Sequence, residues 1–297
     1  MIWVIGSKGM LGMELCGQLE QSGLPFVGTD LDVDILDPGA LREFAARNNK
    51  IDAIVNCSAY TAVDQAEDEA DRAFAVNARG AANIAETARE LDIPLIHIST
   101  DYVFPGTEER PLTEEDIPEP KSVYGKSKLA GEEEIRERHK KYVIIRTSWL
   151  YGRHGKNFVF TMLRLMKERD ELRVVNDQYG SPTNAADLAA AIITIIQSQK
   201  KEYGLFHFSG SGKTTWRDFA RQIAESGRRL GILSRDITVK GVSTAEYPTK
   251  AVRPAFSLMA TEKIERIYGI TPPDWQKSLE RFLTKITEDG GKNDTKT

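Results

Sequence analysis

Through the first half of the chain, short apolar runs alternate with longer stretches of helical period. Ile2-Trp3-Val4-Ile5 is brief and rich in β-branched residues, as a buried strand requires. From Met10 to Gln21, Leu11, Leu15 and Leu19 recur four residues apart and form one face of a helix. Phe26-Val27-Gly28-Thr29-Asp30 reads as the next strand. Asp37-Pro38 then opens a helix, with the aspartate as cap and the proline at the first helical position. Ala53-Ile54-Val55-Asn56, Leu95-Ile96-His97-Ile98 and Tyr142-Val143-Ile144-Ile145 supply three further strands, separated by helical stretches. This rhythm predicts an α/β fold: a Rossmann-like, doubly wound parallel sheet with right-handed crossovers and helices on both faces.

After Trp149 the rhythm loosens. Asn157 to Glu168, Asn184 to Gln197, Thr215 to Leu230 and Asp274 to Ile286 have helical patterns, and Gly204 to Phe208 reads as a strand. A proline-containing irregular stretch spans Ser243 to Ser257. The expected division is a dinucleotide-binding domain over 1–150 and a smaller, mainly substrate-binding lobe over 151–288, with 184–208 returning to the first domain. The polar tail 289–297 is expected to be disordered.

Composition narrows the class. A chain of 297 residues can bury a core without staples. A net charge of −4 opposes nucleic-acid binding, which calls for a basic excess. Cys16 and Cys57 belong to no C-x-x-C pair, and the four histidines are scattered, so neither a disulfide framework nor a metal site is expected. The apolar start ends at Gly6, too soon for a signal peptide. Leu188 to Ile196 is about half the ~20 residues of a membrane span. A cytoplasmic protein with no membrane partner is the expectation.

The chemistry begins at the first turn. Gly6-Ser7-Lys8-Gly9-Met10-Leu11-Gly12 joins the first strand to the first helix, where a pyrophosphate needs close backbone approach and a helix N-terminus. The plain alternative is a tight turn without a ligand. Asp30, closing the second strand, stands where an acid holds the adenosine ribose hydroxyls and repels a 2′-phosphate, which favours NADH. Lys8 offsets that repulsion, so NADH and NADPH both stay open. Asp34-Ile35 falls where a second loop covers the adenine. Further on, Tyr124 and Lys128 form Tyr-x-x-x-Lys, one turn apart on a helix. An ammonium beside a phenol favours the phenolate, and Tyr124 would protonate a carbonyl oxygen as hydride arrives at carbon. Thr100 ends a strand at the edge where parallel sheets bind ligands, and its hydroxyl would hold the same oxygen. Asn77, helical against its propensity, would relay a water or fix the backbone near Lys128. Each motif alone is weak; an exposed Tyr–Lys pair or a turn-capping threonine is the bland reading of its residues.

Together and in this order, the glycine loop, Ser99-Thr100-Asp101 and Tyr-x-x-x-Lys resemble the extended short-chain dehydrogenase/reductases. Longer strings resemble the dTDP-4-dehydrorhamnose reductases: Asn56 to Asp64, Ser99 to Phe104, Arg146 to Tyr151, Asn176 to Thr183 and Tyr247 to Pro254. The resemblance covers Met1 to about Leu283. It implies NAD(P)H-dependent reduction of a nucleotide-linked 4-keto sugar, with Thr100, Tyr124 and Lys128 performing the chemistry. It further implies that Ala59, Tyr60 and Thr61 line the cofactor, and that Val63, Asp101, Tyr102 and Trp149 meet the sugar. Arg253 would meet a phosphate of the nucleotide. Cys57-Ser58 and Ala255-Phe256 depart from the family pattern. Some members form magnesium-bridged dimers, which makes a homodimer an expectation without a matched metal site. Two alternatives stand beside this reading: an epimerase or dehydratase of the same fold, and a non-catalytic regulatory subunit.

Overall fold

The computed structural model describes residues 1–48 and 50–294, with side chains to residue 288. Six strands form one parallel sheet: β1 (Ile2–Ile5), β2 (Phe26–Thr29), β3 (Ala53–Asn56), β4 (Leu95–Thr100), β5 (Tyr142–Thr147) and β6 (Gly204–His207), in the order β6-β5-β4-β3-β1-β2. Strands covered on both faces need apolar residues at nearly every position, which is why they read as runs and not as alternations. One face packs Val4, Val55, Ile96, Ile145 and Phe206 against Leu11, Leu15, Leu188 and Ile192. The other packs Trp3, Ile5, Ile54, Leu95 and Ile144 against Leu41, Ile84 and Ile135. The fold is therefore the expected doubly wound sheet.

Register sets the working edge. Ile5 is level with Thr29 and with Asn56, and Asn56 is level with His97. β4 continues for three residues past that line, so Thr100, level with Thr147 of β5, overhangs the shorter strands. The order reverses between β1 and β3, and ligands of open parallel sheets bind at such a switch point.

Several predicted helices begin on the side chain that caps them. Asp37 accepts from the Gly39 amide at 2.8 Å, Asn157 from Phe160 at 3.1 Å, Asn184 from Ala186 at 3.0 Å and Thr215 from Asp218 at 3.1 Å. The helix Ala185–Gln197 packs on the six-stranded sheet, and β6 joins it beside β5. The remaining C-terminal elements bury Tyr151, Phe219, Leu279 and Phe282 in a core of their own. Two features lie outside the sequence expectations. A parallel ladder joins Glu171–Val175 to Thr238–Val242, and Ala75–Gly80 is a π-helical turn that contains Asn77. The last helix, Trp275–Asp294, continues through most of the stretch expected to be disordered; 295–297 lie outside the described residues. Among the described residues, no helix is long and apolar enough to cross a membrane.

Candidate active site

A cavity of about 620 Å³ opens at the β1/β3 switch point. Gly6, Gly9, Asp30, Asp34, Ile35, Ala59 and Tyr60 line it, together with Lys8, Ser58 and Arg72. Gly6 has φ +78°, open to glycine without strain. A Cβ on Gly12 would lie 2.1 Å from the Gly6 carbonyl oxygen, so the loop can fold back on the helix only with glycine there. This cradle fits a dinucleotide: bare backbone faces the place of a pyrophosphate, and a carboxylate stands one strand away. Asp30 accepts from the Lys8 amide at 3.1 Å and the Leu31 amide at 3.0 Å, which fixes its carboxylate at the rim. Met10 and Thr61 are not among the lining residues, and the Leu11 side chain is in the core. Arg72, paired with Glu69 at 3.1 Å and lying over the Tyr60 ring, carries no motif and was not foreseen. Asn77 clamps this wall: it accepts from the Tyr60 amide at 2.8 Å and donates to Ser127 at 2.9 Å. Its role is to fix backbone.

The overhanging end of β4 meets the helix Val123–Arg138, which Ser122 caps through the Gly125 amide at 3.1 Å. Tyr124 stands near Thr100, whose hydroxyl donates to Asp101 at 3.1 Å. One turn on, Lys128 is buried and donates to the Ile98 carbonyl at 2.7 Å, with His97 Nε2 at 3.2 Å. The three expected groups thus come from two elements and meet along four residues of β4. The expected effect of Lys128 on the phenol is not what the structure shows. Burial pushes the Tyr124 phenol up, Asp101 and Tyr102 add to this, and Thr100 opposes it. A phenol so placed stays protonated at neutral pH, the form an acid needs. Burial also brings Lys128 down to about 8.

Across the cleft, Tyr102 packs edge-on against Tyr124, with ring centroids 5.5 Å apart. Its hydroxyl accepts from Arg253 at 2.9 Å, and the same guanidinium reaches Asp64 at 2.6 Å. Arg253 is therefore held by two partners, not free at the surface. It also borders a cavity of about 320 Å³ lined by Phe158, Gln178, Trp216 and Tyr247. Trp149, at φ +48°, stacks on Trp216 with centroids 3.6 Å apart and planes 9° from parallel. Trp216 is a wall residue the sequence motifs did not reveal. Val63 begins the short helix Val63–Ala66, next to Asp64.

Sheet, glycine cradle and Thr–Tyr–Lys cluster together define a nicotinamide-dependent oxidoreductase of the extended short-chain class. The family model described as RmlD substrate binding domain matches residues 1–288. A dTDP-4-dehydrorhamnose reductase of Shigella flexneri is 41% identical over 96% of this chain and 97% of its own. A crystal structure of a dTDP-4-dehydrorhamnose reductase from Clostridium acetobutylicum superposes with a TM-score of 0.89 at 39% identity, covering 96% of this chain and 99% of that one. One from Bacillus anthracis, in complex with NADP, gives 0.89 at 38% identity over 96% and 98%. The chain belongs to the dTDP-4-dehydrorhamnose reductase family.

Proposed function

We propose that the protein reduces the C4 keto group of dTDP-4-dehydro-L-rhamnose to give dTDP-L-rhamnose, with NADH or NADPH as reductant. The observation that carries this reading is the gathering of Thr100, Tyr124 and Lys128 at the end of β4, with Lys128 bonded to the Ile98 carbonyl and Tyr124 packed on Tyr102, together with a glycine-lined cavity at the switch point. Family membership supplies the substrate.

When bound, the dihydronicotinamide supplies the hydride. This chain's residues do the rest. Gly6, Gly9 and Asp30 bind the dinucleotide's pyrophosphate and adenosine ribose, and Lys128 holds the ribose next to the reacting ring. Thr100 and Tyr124 grip the keto oxygen between two hydroxyls, and the protonated phenol gives its proton to that oxygen as charge develops there. The Thr100 hydroxyl favours the resulting phenolate. Trp149 presents an apolar wall to the deoxysugar methyl, and Arg253 meets the diphosphate by exchanging a partner. The 151–288 portion, less 184–208, serves as the substrate lobe. The reading places the enzyme in the cytoplasm, supported by free Cys16 and Cys57, and includes a homodimer as in other members of the family.

Loss of nicotinamide absorbance on adding the 4-keto rhamnose nucleotide, and not its glucose- or mannose-derived relatives, is the expected result. Purified protein that holds NAD tightly and consumes no NADH would move the assignment to an epimerase or dehydratase. Cofactor binding without turnover of any keto sugar would leave a regulatory subunit.

A further inference from the structure

A buried polar chain runs behind the active site. Ser58 lines the cofactor cavity, and its backbone N–H donates to Asn56 Oδ1 at 3.0 Å while its hydroxyl donates at 2.6 Å. A backbone N–H can only donate, so this face of the Asn56 amide is the oxygen. The Asn56 Nδ2 group therefore points at His97 Nδ1, 3.0 Å away, as its donor. Asn56 and His97 are register partners on β3 and β4, so the contact is built into the sheet. With Nδ1 accepting, a neutral His97 carries its proton on Nε2. That nitrogen faces Lys128 Nζ at 3.2 Å.

An N–H opposite an ammonium cannot hydrogen-bond to it. It can donate to the lone pair of an uncharged amine, whose own hydrogens remain for the Ile98 carbonyl and the cleft. His97 is 1% and Lys128 1% exposed, so water does not relieve the conflict. The charged groups around the pair do not remove it. Glu132, one turn beyond Lys128, favours the ammonium but is occupied by Arg146 of β5 at 2.7 Å and by Ser99 at 2.6 Å. Asp101, at the end of β4, is engaged with Thr100. Arg136 also pairs with Glu132.

We propose that His97 is a positioning residue for Lys128: its Asn56-fixed tautomer holds the lysine as an uncharged amine in the inward position, and the lysine becomes charged when it engages the cofactor. This rests on the reductase reading for the identity of the cofactor. Burial favours the same form, since it lowers Lys128 to about 8 and holds His97 well below its usual range. The proton that Lys128 gains comes from solvent, so cofactor binding takes up a growing fraction of a proton as pH rises through about 8.

The test is isothermal titration calorimetry of NADH into the full chain at pH 8, in buffers of different ionisation enthalpy. Their comparison counts protons taken up per site. The expected result is clear uptake in the wild type and close to none in two variants. In His97→Gln, a side-chain carbonyl accepts from an ammonium. In Asn56→Asp, the carboxylate still accepts from Ser58 but forces the His97 proton onto Nδ1 and frees Nε2 to accept. Asn56→Asp keeps the imidazole, so a merely space-filling histidine predicts unchanged uptake there. Equal uptake in all three proteins, or none in the wild type with NADH bound, overturns the proposal while leaving the reductase reading intact. If neither NADH nor NADPH binds the wild type, both fall. Loss of binding in one variant leaves the other to decide; if both fail to bind, wild-type uptake that does not rise through about pH 8 overturns the proposal.

Discussion

Asp101 is 2% exposed and accepts from Thr100 at 3.1 Å through Oδ1, while its Oδ2 is buried without a hydrogen-bond partner. That contact does not offset its burial, which pushes the carboxyl up to about 6. A carboxyl whose folded value lies above its unfolded value stabilises the fold in its protonated form. That contribution is present below the ordinary range near 3.8 and lost as pH rises through about 6. Asp101→Asn removes the cost of ionising it, so the variant is expected to be more stable at pH 8 by up to roughly 3 kcal/mol and close to unchanged at pH 4. Urea unfolding at the two pH values measures this; equal shifts at both would contradict it. The sequence made Thr100, Tyr124 and Lys128 legible because spacing and strand-end position reveal groups whose chemistry is in the side chain. It did not reveal His97, Asn56 or Arg72. Their roles depend on partners from other strands and loops and on burial, which no local pattern records.

The helix Val123–Arg138 carries the site and explains its own sequence. Lys128, Glu132 and Ile135 form a row at helical spacing that packs over His97, Ser99 and Leu95, the alternate residues of one β4 face. Glu132 is fully buried and holds Arg146 through two bonds of 2.8 and 2.7 Å. Beside that row, a Cβ on Gly131 would lie 2.1 Å from the Asn77 carbonyl oxygen, so the π-helical turn and this helix are in backbone contact. Glu132→Gln leaves a buried arginine without its counter-charge. The expected loss is about 3–5 kcal/mol, seen as an earlier urea midpoint; an unchanged midpoint would show that the pair is not buried in solution. Helices with a cap and one apolar face were legible from the chain. The ladder of Glu171–Val175 and Thr238–Val242 was not, because both strands are short and partly exposed, and their pairing is distant in sequence. The π-helical turn leaves no periodic signature of its own.

At the scale of the molecule, a strap from the C-terminal half closes over the N-terminal half. Arg253 binds Asp64 and Tyr102, the Ala251 amide donates to Asp64 at 3.1 Å, Lys250 pairs with Asp68, and the Phe256 amide donates to Gly106 at 3.1 Å. These contacts are polar and lie at a cleft, unlike the apolar cores on either side. On the proposed function, Arg253 would exchange Asp64 for a substrate phosphate at this junction, which lies outside both cores. The six-stranded sheet was legible up to about residue 150, where the strand–helix rhythm stops. The strap was not, since the Ser243 to Ser257 stretch has no period and its meaning lies in what it crosses. All of these levels converge on one phenol positioned by β4 and the Val123–Arg138 helix. The most direct measurement is steady-state reduction of the 4-keto nucleotide sugar by Tyr124→Phe, with NADH affinity determined in parallel. A loss of about 10²–10⁴ in kcat with cofactor affinity kept within a few-fold is the predicted result. Undiminished turnover by the phenylalanine variant would contradict the account.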